Sequence, residues 1–188
     1  AQQQKARIPM HTIFRLFLVL TLPLAGFANN ASNLDSDLQV AEGFLDAFYR
    51  FDQPTLADYL QPGADADQVL YYQAWAEAAH YKVKQRNACI KGRRDTIICA
   101  ITVTDDFGNT LGYEATDTFT LKVTANKISA VSFEGDDPPI FEELFLWIRK
   151  NRPEVLEGPC KDLFDGGNTP KECARAVVSA AKGFVAAP

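Results

Sequence analysis

Asp117 is the residue in this sequence that simple folding rules explain least well. It lies in an alternating run, Leu111, Tyr113, Ala115, Asp117, Phe119, Leu121 and Val123. The intervening positions are Gly112, Glu114, Thr116, Thr118, Thr120 and Lys122. A period of two marks a strand with one buried face, and the carboxyl falls on the apolar side. A carboxylate placed there is costly unless it is hydrogen-bonded. If partly desolvated, it holds its proton to higher pH and suits general acid–base work or the binding of a polar ligand group. Two readings therefore stand side by side. In one, Asp117 is a structural acid, bonded to a nearby Tyr or Asn or set at a wet rim, with Gln85 and Asn87 on the neighbouring strand as partners. In the other, it lines a cavity in a curved sheet.

Few other residues offer chemistry. His80 ends a helix beside Tyr81, a place where an imidazole suits the helix dipole as readily as it suits a base. Tyr71, Tyr72 and Trp75 form an aromatic group fit for a core or for the wall of an apolar cavity. Asp105-Asp106 and Asp136-Asp137-Pro138 lack calcium-loop spacing and read as turns. There is no Gly-rich phosphate loop, no Gly-x-Ser-x-Gly elbow and no CxxC, so no cofactor, metal or thiol redox chemistry is expected.

The four cysteines, Cys89, Cys99, Cys160 and Cys173, allow three pairings. Runs 83–91 and 96–104 read as a hairpin around Gly92–Asp95, which sets Cys89 opposite Cys99 within disulfide reach. Cys160 and Cys173 then pair across a Gly/Asn/Pro-containing loop and tie down a closing helix.

The elements that must position these groups follow from periodicity. Ser36 and Gln39 form a capping-box signature ahead of a helix ending near Arg50, with Leu38, Ala41, Leu45 and Phe48 as its apolar stripe. Asp52-Gln53-Pro54 opens a short second helix. A third, capped by Asp65 or Asp67, spans roughly 68–81. Four strands follow, about 82–91, 96–105, 111–124 and 127–134, with links short enough for an antiparallel meander. The link Asp106–Asn109 reads as a turn. Helices are expected over about 140–150 and from Thr169-Pro170-Lys171-Glu172, a second capping box. The fold class is α+β: N-terminal helices packed on a curved four-stranded antiparallel meander, with C-terminal helices.

The meander's last hairpin reads Asp117-Thr-Phe119-Thr-Leu121-Lys-Val123-Thr-Ala-Asn126-Lys127-Ile128, and its final strand ends at Phe133-Glu134-Gly135-Asp136. This pattern, after two or three helices, resembles the nuclear-transport-factor-two-like superfamily (SnoaL-like, cystatin-related) over residues of about 36–137. The resemblance implies a cone-shaped pocket and either enzymatic activity (cyclase, isomerase or dehydratase) or non-enzymatic binding. Asp117 stands where SnoaL-like cyclases carry an acid–base Asp, but their His on the preceding strand has no counterpart here. Phe44 aligns with the first-helix Tyr of ketosteroid isomerase. The pocket so implied is lined by Phe44, Phe48, Tyr72, Trp75, Gln85, Asn87, Ile101, Tyr113, Asp117 and Phe119. In an enzyme, Asp117 would act with His80 or Tyr113.

Residues 1–28 read as a secretory leader: Lys5, Arg7 and Arg15, an apolar stretch over 13–24, then Ala25-Gly26-Phe27-Ala28 with cleavage after Ala28. The apolar run is roughly 12 residues, short of the ~20 needed to span a bilayer, so no stable membrane anchor is expected. The whole chain of 188 residues is 47% hydrophobic and 23% charged, with a net charge of −5. Ordinary composition excludes disordered, collagen-like and coiled-coil chains. Removing the leader's three basic residues leaves 16 basic against 24 acidic, a net of −8 over 160 residues, which disfavours nucleic acid as a partner. The domains expected are the leader, a pocket domain over 36–137 and a helical extension over 138–188 packed on it. The function expected is that of a secreted or periplasmic, non-catalytic protein binding a small apolar molecule. The alternatives are an acid–base enzyme using Asp117 and a homodimeric assembly module using the Thr-rich strand face.

Overall fold

In the computed structural model, Ile97, Cys99 and Ile101 of one strand lie opposite Leu121, Phe119 and Asp117 of the next. This register fixes which side chains point inward. Residues 25–187 are described, apart from Asp65 and 164–166, with side chains from Asn33 onward. The expected leader falls largely within residues 1–24, outside that range.

The chain opens with α1 (Ala25–Tyr49), α2 (Gln53–Tyr59) and α3 (Asp67–Ala78). The sheet contains β1 (Lys82–Arg86), β2 (Ile90–Lys91), β3 (Thr96–Thr104), β4 (Ala115–Thr124) and β5 (Lys127–Gly135), all antiparallel in the order β1-β3-β4-β5, with β2 also on β3. A short α4 (Asp106–Leu111) separates β3 from β4, and α5 (Pro139–Asn151), α6 (Pro153–Glu157) and α7 (Pro170–Ala186) complete the chain. The α+β class and the helix–meander–helix order agree with the sequence reading, and the disulfides are Cys89–Cys99 and Cys160–Cys173, with Cα separations of 4.4 and 4.7 Å.

Several local expectations are corrected. The first strand is two pieces along one edge of β3, because its register slips between Val83 and Gln85 and pairing stops before Ile90. The Asp106–Asn109 turn is α4: the Asp105 side chain accepts a bond from the Gly108 N–H, and Gly112 at φ 80° closes the helix in the left-handed region that glycine tolerates. Strand β4 consequently starts at Ala115, not at 111. Ser36 does not cap α1, which starts upstream; its hydroxyl bonds the Asn126 side chain instead. Thr169 precedes α7 without a side-chain cap, its hydroxyl donating to the Pro159 carbonyl. Arg152-Pro153 ends α5 as expected, but Pro153 also starts α6, as a first-turn proline can.

Ala125 and Asn126 both have positive φ, 51° and 59°, and form the two-residue turn between β4 and β5. Two positive φ values match the twist of a tight hairpin.

Two hydrophobic clusters carry the fold. In the first, Phe44, Leu45 and Phe48 of α1 cover Cys99, Ile101, Phe119 and Leu121 of the sheet. In the second, Tyr71 and Trp75 of α3 and Phe107 of α4 pack with Leu144, Ile148, Cys173 and Val177 of the C-terminal helices. Tyr81 touches both.

Helix α1 is also tied to the broken edge strand by charge. Glu42 accepts bonds from the Arg86 guanidinium (2.5 Å) and the Cys89 N–H (2.6 Å), while Arg86 also reaches Asp46 (2.5 Å). Glu42 thus replaces the sheet partner that the break at 87–89 removes. Removing its carboxylate strands a half-buried guanidinium and a backbone donor, each costing about 1–3 kcal/mol. Glu42→Ala should lower unfolding stability in urea by about 2–3 kcal/mol. Glu42→Gln, which keeps an acceptor, should lose less.

Candidate functional site

Helix α1 ends at Tyr49, and at that point the inner face of β4 passes from Phe119 to Asp117. Phe48 and Tyr49 meet the Phe119 ring at centroid distances of 5.0 and 6.2 Å. The Tyr49 hydroxyl donates to Asp117 Oδ2 at 2.6 Å. Beyond this contact, Ala115 and Asp117 face a chamber of about 130 Å3 rather than a helix.

The chamber lies at the seam between the two clusters. Tyr72 and Trp75 wall it from α3 and Phe107 from α4, with Phe133 on β5 and Phe141 and Phe145 on α5. Tyr81 and Leu163 complete it together with Asp137, which follows β5. Gly135, Asp137, Phe141, Phe145 and Leu163 also wall a larger outer groove of about 740 Å3, which continues past Leu146, Leu156 and Cys160. Arg149, Glu142 and Asp162 supply that groove's charges.

Asp117 is 3% exposed. Burial raises its pKa to about 7, the Tyr49 hydrogen bond opposes that rise, and the charges of Asp137 and Asp136 add to it. Asp137, an exposed residue bordering both spaces, is raised by desolvation of its carboxyl and by Asp136. Asp105 reaches about 7, chiefly through burial, against the bond from the Gly108 N–H, with Asp137, Asp106 and Asp117 adding. Tyr81 is held protonated by burial and by Asp117, Asp105 and Asp137, and Tyr49 by burial and Asp117. The site thus combines acids of raised proton affinity and protonated phenols at and beside one aromatic chamber.

The structure places the anticipated site residues unevenly. Tyr72, Trp75 and Asp117 line the chamber together. Phe44, Phe48, Ile101 and Phe119 do not, because the two α1 rings pack directly on the sheet residues and all four are 0–1% exposed core. Gln85 and Asn87 are exposed, and Gln85 contacts Asn87 at 3.5 Å, because the slip and break in the edge strand turn them away from the inner face. His80 lies outside: its ring is 69% exposed and its Nδ1 pairs with Asp106 at 2.7 Å. Tyr113 packs on Phe107, centroids 6.3 Å apart, and is not a chamber wall. Its buried hydroxyl and that of Tyr71 have no hydrogen-bond partner among the described residues. Neither expected catalytic partner therefore meets Asp117. The partners that do surround it, Tyr49, Tyr81 and Asp137, were not anticipated. A signal for Tyr49 was its place at the C-terminal end of an apolar stripe, where a phenol reaches past the helix end. Among the described residues, no group of His, Cys, Asp and Glu is arranged to hold a metal ion.

No protein-family model matches the chain, and no curated protein does. Among solved structures, a Xanthomonas campestris protein of unknown function with a cystatin-like fold is similar at 12% identity. The match covers 54% of this chain and 91% of that one, with a TM-score of 0.42.

The raised acids give a pH signature. Between about pH 4 and 7 the folded chain holds protons on Asp117 and Asp105 that the unfolded chain has released, so their contribution to stability falls as pH rises through that window. Asp117→Asn keeps an acceptor for Tyr49 and removes the titration. It should stabilise the fold by on the order of 2 kcal/mol at pH 8 and change little at pH 4, as read from melting curves at both pH values. Tyr49→Phe removes the bond that holds Asp117 down, so a carboxyl carbon-13 titration should place Asp117 higher than in the parent chain.

Proposed function

We propose that this chain is an exported, non-catalytic binding protein of the nuclear-transport-factor-two-like kind, taking a small, mostly apolar molecule. The observation that carries this reading is a pair of adjoining concavities: the aromatic chamber beside Asp117 and the groove beside α5 share Gly135, Asp137, Phe141, Phe145 and Leu163 as walls. Concave, largely apolar surfaces with a few convergent polar groups are the usual form of small-molecule sites. The chamber alone is below the ~300 Å3 typical of such sites, so the ligand's end enters it and its body lies in the groove. Export is supported by the two disulfides, which belong to an oxidising compartment. Among the described residues no helix is long and apolar enough to cross a membrane.

Acid–base catalysis is a second reading, favoured by one observation: Asp117 titrates near neutrality, where a general acid or base is most effective. In that case Tyr49 orients the carboxyl and Asp137 and Tyr81 share the site with it. His80, paired with Asp106 at the surface, takes no part.

A neutral apolar dye such as N-phenyl-1-naphthylamine should bind with enhanced fluorescence. Leu163→Trp, which enlarges a wall shared by chamber and groove, should weaken that binding about tenfold or more, beyond the about 1–3 kcal/mol of stability that enlarging a buried side chain costs. Absence of dye binding, together with no small molecule retained in native mass spectrometry, would overturn the reading.

A further inference from the structure

We propose that the inner chamber receives a small organic cation, an alkylammonium or quaternary ammonium head, whose apolar tail lies in the outer groove. The inference deepens the binding reading above and rests on it. Its starting point is the composition of the walls. Aromatic rings come from α3, α4, β5 and α5 at differing tilts: Tyr72 and Phe133 are 4.7 Å apart at 31°, Trp75 and Phe107 are 6.3 Å apart at 77°, and Phe107 and Phe141 are 6.0 Å apart at 41°. Rings set around a small space at several angles are how proteins hold ammonium groups, through the negative faces of the rings.

The polar groups agree. Asp117 and Asp137 are chamber walls, and no Lys, Arg or His is among the described walls. Asp117 has Tyr49 as its hydrogen-bond donor, on Oδ2, and no donor on Oδ1 among the described residues. An anionic head would meet two acids without a counter-charge. A hydrocarbon head would leave that oxygen desolvated and unpaired, at a cost. A cation balances both acids and touches the rings at once. The space is also sized for a head group rather than a ring system, at about 130 Å3.

Entry of a cation changes the protonation of the site. The acid groups around Asp117 are Asp137 and Asp136 after β5 and Asp105 before α4, and the phenols are Tyr49 of α1 and Tyr81. Burial first, and neighbouring acids second, raise the proton affinity of Asp117 and Asp105 when no cation is present. A bound ammonium favours the ionised forms, so binding releases protons and tightens as pH rises toward and past 7.

The test uses the full chain and three probes with one six-carbon tail: hexyltrimethylammonium, hexan-1-ol and hexanoate. Each is titrated by calorimetry and by displacement of the neutral dye. Hexyltrimethylammonium should bind about tenfold or more tightly than hexan-1-ol, with hexanoate weakest. Its affinity should rise several-fold from pH 5.5 to 8, while that of hexan-1-ol stays level. Asp117→Asn and the more exposed Asp137→Asn should each reduce the preference for the cation and leave the alcohol's affinity unchanged. If hexan-1-ol binds as tightly as the cation, or if the dye binds and no probe displaces it, the cation assignment is wrong and the apolar-pocket reading stands. If the dye itself fails to bind, the pocket reading falls and the assignment with it.

Discussion

The length of α1 over the sheet is the constraint on which the rest of this structure depends. Its apolar stripe, Phe44, Leu45 and Phe48, covers the inner face of β3 and β4 as far as Phe119 and then ends at Tyr49. A sheet face left bare beyond that point would expose Ala115, Phe133 and the neighbouring aromatics to water. The C-terminal helices cover it instead, at a greater standoff, as a second cluster built on α3 and α4. The chamber lies where the two clusters meet, with walls from both. Asp117 belongs to that chamber, since it lies on the inner face one step past the end of the helix that covers its neighbours.

The segment that closes the seam is anchored by a covalent cross-link. Leu163, a wall of both chamber and groove, lies three residues after Cys160, which the disulfide fixes to Cys173 in the first turn of α7. Among the described residues between α6 and α7, turn hydrogen bonds such as Leu163 N–H to Cys160 O order the backbone, and the cross-link lowers the entropy of the unfolded chain as well as fixing the wall. The other disulfide, Cys89–Cys99, serves the opposite edge, where the strand breaks and Glu42 takes over a lost sheet partner. One bridge thus lies at the broken sheet edge and the other beside the pocket wall.

What could be read from the sequence divides by range. The strand faces, the disulfide hairpin and the anomaly of Asp117 follow from a period of two, which any five residues of β3 or β4 display. Tyr72 and Trp75 could be read as cavity residues because helix α3 is aromatic on more than one side. The other walls depend on distances along the chain that no local pattern encodes. Tyr49 bonds a residue 68 positions away, and Phe141, Phe145 and Leu163 reach the chamber only because α5 and its disulfide-tied neighbour fold back over β5. Phe119 reads as a pocket residue for the same reason in reverse: alternation says that a side chain points inward, but not that Phe44 and Phe48 of α1 fill the space it points into. Asp105 read as a turn, and α4 was missed, because its six residues have no periodicity to detect; its start depends on one side-chain bond from Gly108 and its end on Gly112.

The charges near the seam show why its acids remain unbalanced within the chain itself. Arg86 is engaged by Glu42 and Asp46, Lys171 by Glu77, Lys84 by Glu114 and Arg152 by Glu154. Arg149 borders the outer groove without being a wall of the chamber. With no cation among the described walls, burial raises the proton affinity of Asp117, Asp105 and Asp137, and Asp137 adds to the rise at the other two. A purely structural acid is normally answered by an arginine or a set of backbone donors, which lower its pKa and make its charge an asset to the fold. Here one phenol is the only donor to Asp117 among the described residues, and burial outweighs it. A carboxyl so placed costs stability whenever it ionises, and the fold offers no internal gain that offsets the cost. That imbalance, located beside the aromatic chamber, is the physical argument behind the proposed ligand site.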